Sequence, residues 1–276
     1  MNVVRILVCF KVTPDYEALR ASDWAGATAD GVETRYVRHI LNCFDESALE
    51  LALRARESLA VLGVAASLDA LTIGGREVEP HLATVHALGY ERAVRVHVEH
   101  PLDFAPGVTA SLIAGYLRKS GGCDLLLLGT RTGPGDGGTV PFRVAEHLGL
   151  PCLSQVTAVE PLDGRRLRVS RAVDGGLEHA TVSLPCVVAV GNAIVSHLRV
   201  PTLSDRLAAK ARPVELLAPA DLGVDVAAEL DREPCALTEL AAVRRERGGA
   251  ILGGRDRRDK ARALLDAMPK GLVEGL

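Results

Sequence analysis

The residues from Gly129 to Thr139 read Gly-Thr-Arg-Thr-Gly-Pro-Gly-Asp-Gly-Gly-Thr, and they separate a Leu-rich run from an amphipathic segment. Such a loop brings backbone N–H groups and the positive end of the following helix to one point, the chemistry of a phosphate cradle. A flexible surface loop is the competing reading. Gly133, Gly135 and Gly138 satisfy G-x-G-x-x-G formally. They start four residues past Gly129, however, and no acidic residue ends a following strand about 20 residues on, which disfavours a nicotinamide-dinucleotide fingerprint. Other candidates sit where neighbouring strands should end: Cys9, Phe10 and Lys11 after the first, Gly74 and Gly75 after the second. Lys11 is either a phosphate partner or a surface lysine. Asn42-Cys43-Phe44-Asp45-Glu46 turns into a helix whose N-terminus Asp45 can cap.

Catalytic constellations are missing from the sequence. It contains no G-x-S-x-G elbow, no H-E-x-x-H and no Walker A lysine. His81 and His86 lie five apart on a helix, and His97 and His100 straddle a strand end, spacings that suit structural or solvent-facing rings. The six cysteines, at 9, 43, 123, 152, 186 and 235, include no C-x-x-C pair. They read as small hydrophobes in a reducing compartment rather than as disulfides or metal ligands. These features point to a nucleotide binder whose chemistry belongs to a cofactor.

The elements that must position these residues alternate. Arg5–Phe10, Leu68–Ile73, Ala93–Val98 and Asp124–Leu128 read as buried strands. Between and after them come helices over Asp45–Leu62, from Pro80 to Gly89, over Val108–Lys119 and over Thr139–Leu148. Ser47 with Glu50 offers a capping box for the first. This alternation implies right-handed βαβ units and a parallel sheet. An added β-hairpin region follows. Gln155–Pro161, Arg166–Val173 and Leu177–Leu184 are strand-like, with Asp163-Gly164 and Asp174-Gly175-Gly176 as turns, and Val187–Val190 returns to a buried strand. After Gly191 regularity fades around Pro201, Pro213, Pro219 and Pro234, leaving two modest helices, the better over Asp256–Met268. We therefore expect an α/β domain over 1–191 and a long C-terminal arm over 192–276 that packs on a partner.

Composition narrows the function further. The chain is 48% hydrophobic and 24% charged, which excludes wholesale disorder, and 3% aromatic, which excludes a base-stacking platform. Its net charge of -3 supplies no field toward nucleic acid. Eight basic residues between Ala241 and Arg262 (Arg244, Arg245, Arg247, Arg255, Arg257, Arg258, Lys260, Arg262) form either a solvated tail or a docking surface. The first strand begins beside the initiator Met and no apolar run is long enough to span a bilayer. A cytoplasmic protein without membrane insertion is expected.

Taken together, the motifs resemble the beta subunit of electron transfer flavoproteins, the ETF-beta/FixA family, collinearly over nearly the whole chain. Lys11-Val12-Thr13-Pro14-Asp15 is similar to the family's "VKQVPD", Asn42-Cys43-Phe44-Asp45-Glu46 to "NPFDE", and Ala87-Leu88-Gly89-Tyr90-Glu91-Arg92-Ala93 to "AMGADRA". Thr72-Ile73-Gly74-Gly75 sits where the family has a "VGP" turn. The most specific match is Arg171-Ala172-Val173-Asp174-Gly175-Gly176-Leu177-Glu178 with Leu184-Pro185-Cys186-Val187-Val188, against "REVDGGLE…LPAVV". Ala220-Asp221-Leu222-Gly223-Val224-Asp225 resembles "DLGVD".

The resemblance implies a doubly wound parallel sheet, Rossmann-like and adenine-nucleotide-binding, in a subunit that forms a heterodimer with an alpha subunit and shares an FAD. It also implies an adenine nucleotide in the beta subunit: AMP in ordinary members, a second FAD in electron-bifurcating ones. By position, Cys9, Asn42, Cys43, Phe44, Asp45, Ile73, Gly74 and the loop containing Gly129, Arg131, Gly133, Gly135, Asp136, Gly137, Gly138 and Thr139 correspond to the nucleotide contacts. Arg199 corresponds to an arginine beside the inter-subunit flavin. Asn192, Ile194 and Val195 fall in the loop that recognises a partner dehydrogenase. The implied function is a non-enzymatic carrier of electrons from a flavin-dependent, acyl-CoA-type dehydrogenase to a quinone oxidoreductase or other acceptor. The sequence departs from the family where Gly137 replaces a hydroxyl residue, Thr139 an amide and Cys43 a proline, and the recognition segment lacks "LNEPRY". The alternatives are a bifurcating subunit and a stand-alone adenine-nucleotide sensor. A nicotinamide dehydrogenase acting alone fails for want of a proton donor.

Overall fold

The computed structural model describes residues 3–28, 31–99, 102–133, 137–234, 237–240 and 249–268; Gly135 and Asp136, like Arg244, Arg245 and Arg247, lie outside the described residues. Its strands and helices are, in chain order, β1 (Val4–Cys9), β2 (Val12–Pro14), α1 (Ala21–Ala25), β3 (His39–Leu41), α2 (Cys43–Val61), β4 (Ala66–Ile73), α3 (Glu79–Ala87), β5 (Arg92–Val96), α4 (Pro106–Ser120), β6 (Leu125–Gly129), α5 (Val140–Leu148), β7 (Cys152–Pro161), β8 (Arg166–Val173), β9 (Gly176–Ser183), β10 (Cys186–Val190), α6 (Leu203–Ala209), β11 (Glu215–Leu217), α7 (Val226–Leu230) and α8 (Arg257–Ala267). Among the described residues a nine-stranded sheet runs β11-β5-β4-β1-β6-β10-β7-β8-β9, and β2 pairs with β3 apart from it. Neighbours from β11 to β7 are parallel. The hairpin strands β8 and β9 extend the sheet antiparallel.

Side-chain alternation divides the core into two layers. Ile6 and Val8 of β1 pack with Leu49 and Leu53 of α2 and with Leu82 and Val85 of α3. Leu7 and Cys9 face the opposite layer, with Leu112 and Ile113 of α4 and Val144 and Ala145 of α5. A strand covered on both faces has no solvent side, which is why β6 and β10 read as unbroken apolar runs and are buried throughout. Glycines end two of the covering helices: Gly121 (φ 83°) follows α4 and Gly149 (φ 64°) follows α5, both in the left-handed region that stops a helix without steric penalty.

Two expectations about α2 need correction. The helix starts at Cys43, two residues before Asp45, with Asn42 as its N-cap residue. Ser47 and Glu50 therefore lie inside the helix and form no capping box. Ser47 Oγ donates back to the Cys43 carbonyl at 3.1 Å, and Glu50 receives Arg199 from a distant segment.

The stretch after Gly191 is divided at Leu240. Met1–Leu240 forms one unit, and Ala241–Leu276 a second. Within the first, β11 adds a parallel strand beside β5, and Glu215 takes an ion pair from Arg92 at 2.5 Å. Leu217, Leu222 and Val224 sink into the α4 layer. This explains why residues 192–240 carry little core of their own: they complete the core of the α/β sheet. In the second unit, Asp256 caps α8 by accepting the N–H groups of Arg258 and Asp259. No described helix is long and apolar enough to cross a membrane.

Candidate functional site

β1, β4 and β6 are neighbours in the sheet, so the segments leaving their carboxyl ends come together. Open parallel sheets bind ligands at that edge. The first turn of α2 is wedged among these segments, and one of its two acidic residues, Asp45, is 4% exposed. Asp45 Oδ2 accepts the Lys11 N–H at 2.9 Å and Asn42 Nδ2 at 2.9 Å, while Oδ1 accepts the Gly129 N–H at 2.5 Å. One carboxylate thus ties the end of β1, the start of α2 and the end of β6. Burial pushes its pKa up to about 6, with the three donors opposing that rise.

Asn42 completes this clamp. Its amide donates a second hydrogen bond to the Arg131 carbonyl at 3.0 Å, and its backbone N–H meets the Lys11 carbonyl at 3.0 Å. Both amide hydrogens of Asn42 are therefore engaged within the chain. Gly129 is required by the same packing: a Cβ there would lie 2.6 Å from Asp45 Oδ1 and 2.9 Å from Phe44 Cβ. Beyond the clamp, Thr130 is buried and anchored to Val190 by its N–H at 2.8 Å. The loop re-enters regular structure through Gly138, at φ 57°, and Thr139, the N-cap residue of α5. Thr139 Oγ1 is buried without a hydrogen-bond partner. An orphaned hydroxyl at a helix start is a donor waiting for an acceptor, and an anion there would also meet the positive end of α5.

The remaining candidates are placed less uniformly. Cys9 is buried in the α4 layer, and burial pushes its thiol well above the usual range, so it presents no thiolate. Cys43 is exposed, and Phe44 is half-buried with its Cβ facing Gly129. Lys11 Nζ is held by Asp103 at 2.5 Å, a pairing that its sequence neighbourhood did not reveal. Ile73 is half-buried at the end of β4, and Gly74 donates to the Val96 carbonyl at 3.0 Å. Beside it, Glu77 Oε1 accepts the Gly75 N–H at 2.7 Å. Gly133 and Gly137 are described, and nothing lies within 4 Å of a Cβ built on Gly133.

Away from this edge, Asn192 is exposed, Val195 half-buried and Ile194 82% exposed. Val200, Leu203 and Leu207 are exposed as well. Arg199 is exposed, and its guanidinium is engaged within the chain. Its guanidinium meets Glu50 Oε1 at 2.8 Å and Glu57 Oε1 at 2.5 Å, and those bonds raise its pKa. Burial works against the charge on Glu50, yet hydrogen bonds from Arg199 and Arg54 hold its pKa below the usual carboxylate value. Glu50 entered the sequence reading only as half of a capping box, and its pairing with Arg199 was missed. The available signal was an acid at a position of α2 otherwise filled by Leu and Ala. Among the described residues no group of His, Cys, Asp and Glu is placed to hold a metal ion.

The fold is a mixed α/β one built on a large sheet, and comparison with known proteins specifies the family. Residues 31–222 match the model of the electron transfer flavoprotein domain, so the chain belongs to the electron transfer flavoprotein family, in its beta-type (ETF-beta/FixA) branch. It is 31% identical over 231 residues to the electron transfer flavoprotein subunit beta of Bacillus subtilis, covering 84% of each chain. Against the human subunit of the same name the identity is 33%, covering 83% of this chain and 87% of the human one. The Escherichia coli K12 protein YgcR, whose name places it provisionally among electron transfer flavoprotein subunits, is 30% identical over 95% of this chain and 96% of its own. The general role is that of an electron-transfer subunit, a carrier and not a catalyst.

Proposed function

We propose that this chain pairs with an alpha subunit, shares an FAD with it, and holds an adenine nucleotide at the carboxyl edge of β1, β4 and β6. The observation that carries the reading is the clamp of Asn42 and Asp45 on the Gly129–Arg131 backbone, with the orphaned Thr139 hydroxyl at the other end of the same loop. These residues fit a phosphate: one fixed backbone segment, a helix N-terminus and a buried hydroxyl with nothing to bond. In this reading Asn42 and Asp45 hold the loop and Thr139 touches the ligand. The shared FAD, when bound, supplies the electron-carrying chemistry. This chain's part is to seat the adenine nucleotide, exclude water from its phosphates and present Ile194 and its exposed apolar neighbours to a flavin-dependent dehydrogenase. Electrons then leave for a quinone oxidoreductase or another acceptor.

The test is co-expression with its alpha subunit, followed by flavin counting and identification of the nucleotide released on denaturation. One flavin and one AMP per heterodimer is the expected result. Two flavins would make the complex a candidate for bifurcation from NADH. A colourless chain that ignores the alpha subunit overturns the proposal, and one that binds AMP reversibly as a homodimer points to a nucleotide sensor.

A further inference from the structure

Arg95 is a strand-borne cation in the wrong place for a soluble surface. Its side chain is only 9% exposed, and its sole ion-pair partner among the described residues is Glu79 Oε1 at 3.4 Å, longer than a hydrogen bond. Nη1 is buried and has no hydrogen-bond partner. On the adjacent strand Thr72 is the register partner of Arg95, so both side chains project from the same face of the sheet. Thr72 is 1% exposed, and its Oγ1 is likewise buried and unpartnered. Each residue is the penultimate one of its strand, at the carboxyl edge.

Buried guanidinium groups are ordinarily paired, and a buried hydroxyl without a partner carries a desolvation cost. Two such orphans side by side ask for one group that accepts from both and carries negative charge. A water molecule accepts both bonds but brings no charge to the Nη1 side of the cation. The half-exposed Glu79 carboxylate lies 3.4 Å from the other guanidinium nitrogen. We propose that Thr72 and Arg95 form an oxyanion site of the phosphate class, with Glu79 as its exchangeable counter-ion. The site is separate from the loop between β6 and α5, and the inference does not rest on the nucleotide reading of that loop.

Calorimetric titration of inorganic phosphate into the full chain, at constant ionic strength against sodium chloride, tests it. Saturable phosphate binding is expected, with a component weakened about tenfold or more in Arg95→Gln and in the near-isosteric Thr72→Val. If Arg95→Gln fails to fold, Thr72→Val still decides the matter. An AMP arm separates the sources: competition by AMP for the Arg95-dependent site assigns it to a nucleotide phosphate, and additive binding assigns it to free phosphate. No saturable binding in the wild type overturns the proposal. So does phosphate binding that is the same in Thr72→Val as in the wild type, or a crystal grown in phosphate in which only water bridges the two side chains.

Discussion

Two glycine-bearing turns leave the carboxyl edge of the sheet, one after β4 and one after β6, and they meet opposite fates. After β4, the Glu77 side chain folds back so that its carboxylate accepts the Gly75 N–H, and a Cβ on Gly75 would strike it at 2.5 Å. The turn supplies its own anion. After β6, the acid at Gly129 comes from another element, α2, and it fills only the first residue of the loop. Farther along, the Thr139 hydroxyl has nothing to bond. Glycine marks where backbone and another group approach closely in both places. On the proposed reading, whether a local carboxylate closes the space decides which turn takes a ligand.

The sharpest way to break this contrast is Gly129→Ala. The added carbon meets Asp45 Oδ1 at 2.6 Å and Phe44 at 2.9 Å, with little room for either to retreat. We expect a loss of about 4 kcal/mol from overpacking together with the broken bond to the carboxylate. Denaturant unfolding checks the stability, and nucleotide content of the heterodimer should fall with it. Retention of both would show that Asp45 does not hold this loop.

Next in size is the pH response of Asp45. Its folded pKa is raised, to about 6 from an ordinary 3.8, so the folded chain holds the proton more tightly than the unfolded one. The sign follows: this contribution to stability is fully present below pH 4 and is lost as the pH rises toward 6. Above that it is flat. The amount is roughly 3 kcal/mol at most by linkage. Unfolding curves of the wild type and Asp45→Asn, taken between pH 4 and 7, should differ in slope over that window only. Parallel slopes would mean that the carboxyl is better solvated than its packing indicates.

Thr139→Val separates ligand contact from support. Removing an unpaired buried hydroxyl should stabilise the chain without nucleotide by about 1 kcal/mol and weaken nucleotide binding about tenfold. Thermal melts and calorimetry read the two effects with opposite signs. A purely structural threonine would move only the first.

Much of this arrangement was legible in the sequence, for local reasons. β1, β4 and β6 announce themselves as β-branched or Leu runs, and α4 and α5 stop at glycines that adopt positive φ. The Asp174-Gly175-Gly176 signal falls between β8 and β9, with Gly175 at φ 88°. Contacts between distant residues were not legible. Glu50 and Arg199 are 149 positions apart, and Asp45 meets Gly129 across 84. Asp45 looked like a cap because a first-turn acid usually is one; tertiary packing turned it inward. β11 was missed because three residues, Glu215–Leu217, carry no periodicity of their own and become a strand only against β5. The orphaned hydroxyl of Thr139 belongs to the same category, since no sequence pattern distinguishes it from an ordinary N-cap threonine.

The smallest effect tests the other half of the comparison. In Glu77→Gln the side-chain oxygen can still accept the Gly75 N–H, but the charge is gone, so the turn after β4 should lose only about 0.5 kcal/mol. Nucleotide content should not change, because the Gly75 N–H is already taken by the turn's own side chain. Glu77→Ala goes further by freeing the Gly75 N–H altogether. If Glu77→Ala gains phosphate binding that Glu77→Gln lacks, the carboxylate was what kept this turn closed, and the difference between the two turns is one side chain. If neither variant responds, the turn is closed by its backbone, and the two glycine sites differ in shape before any acid is added.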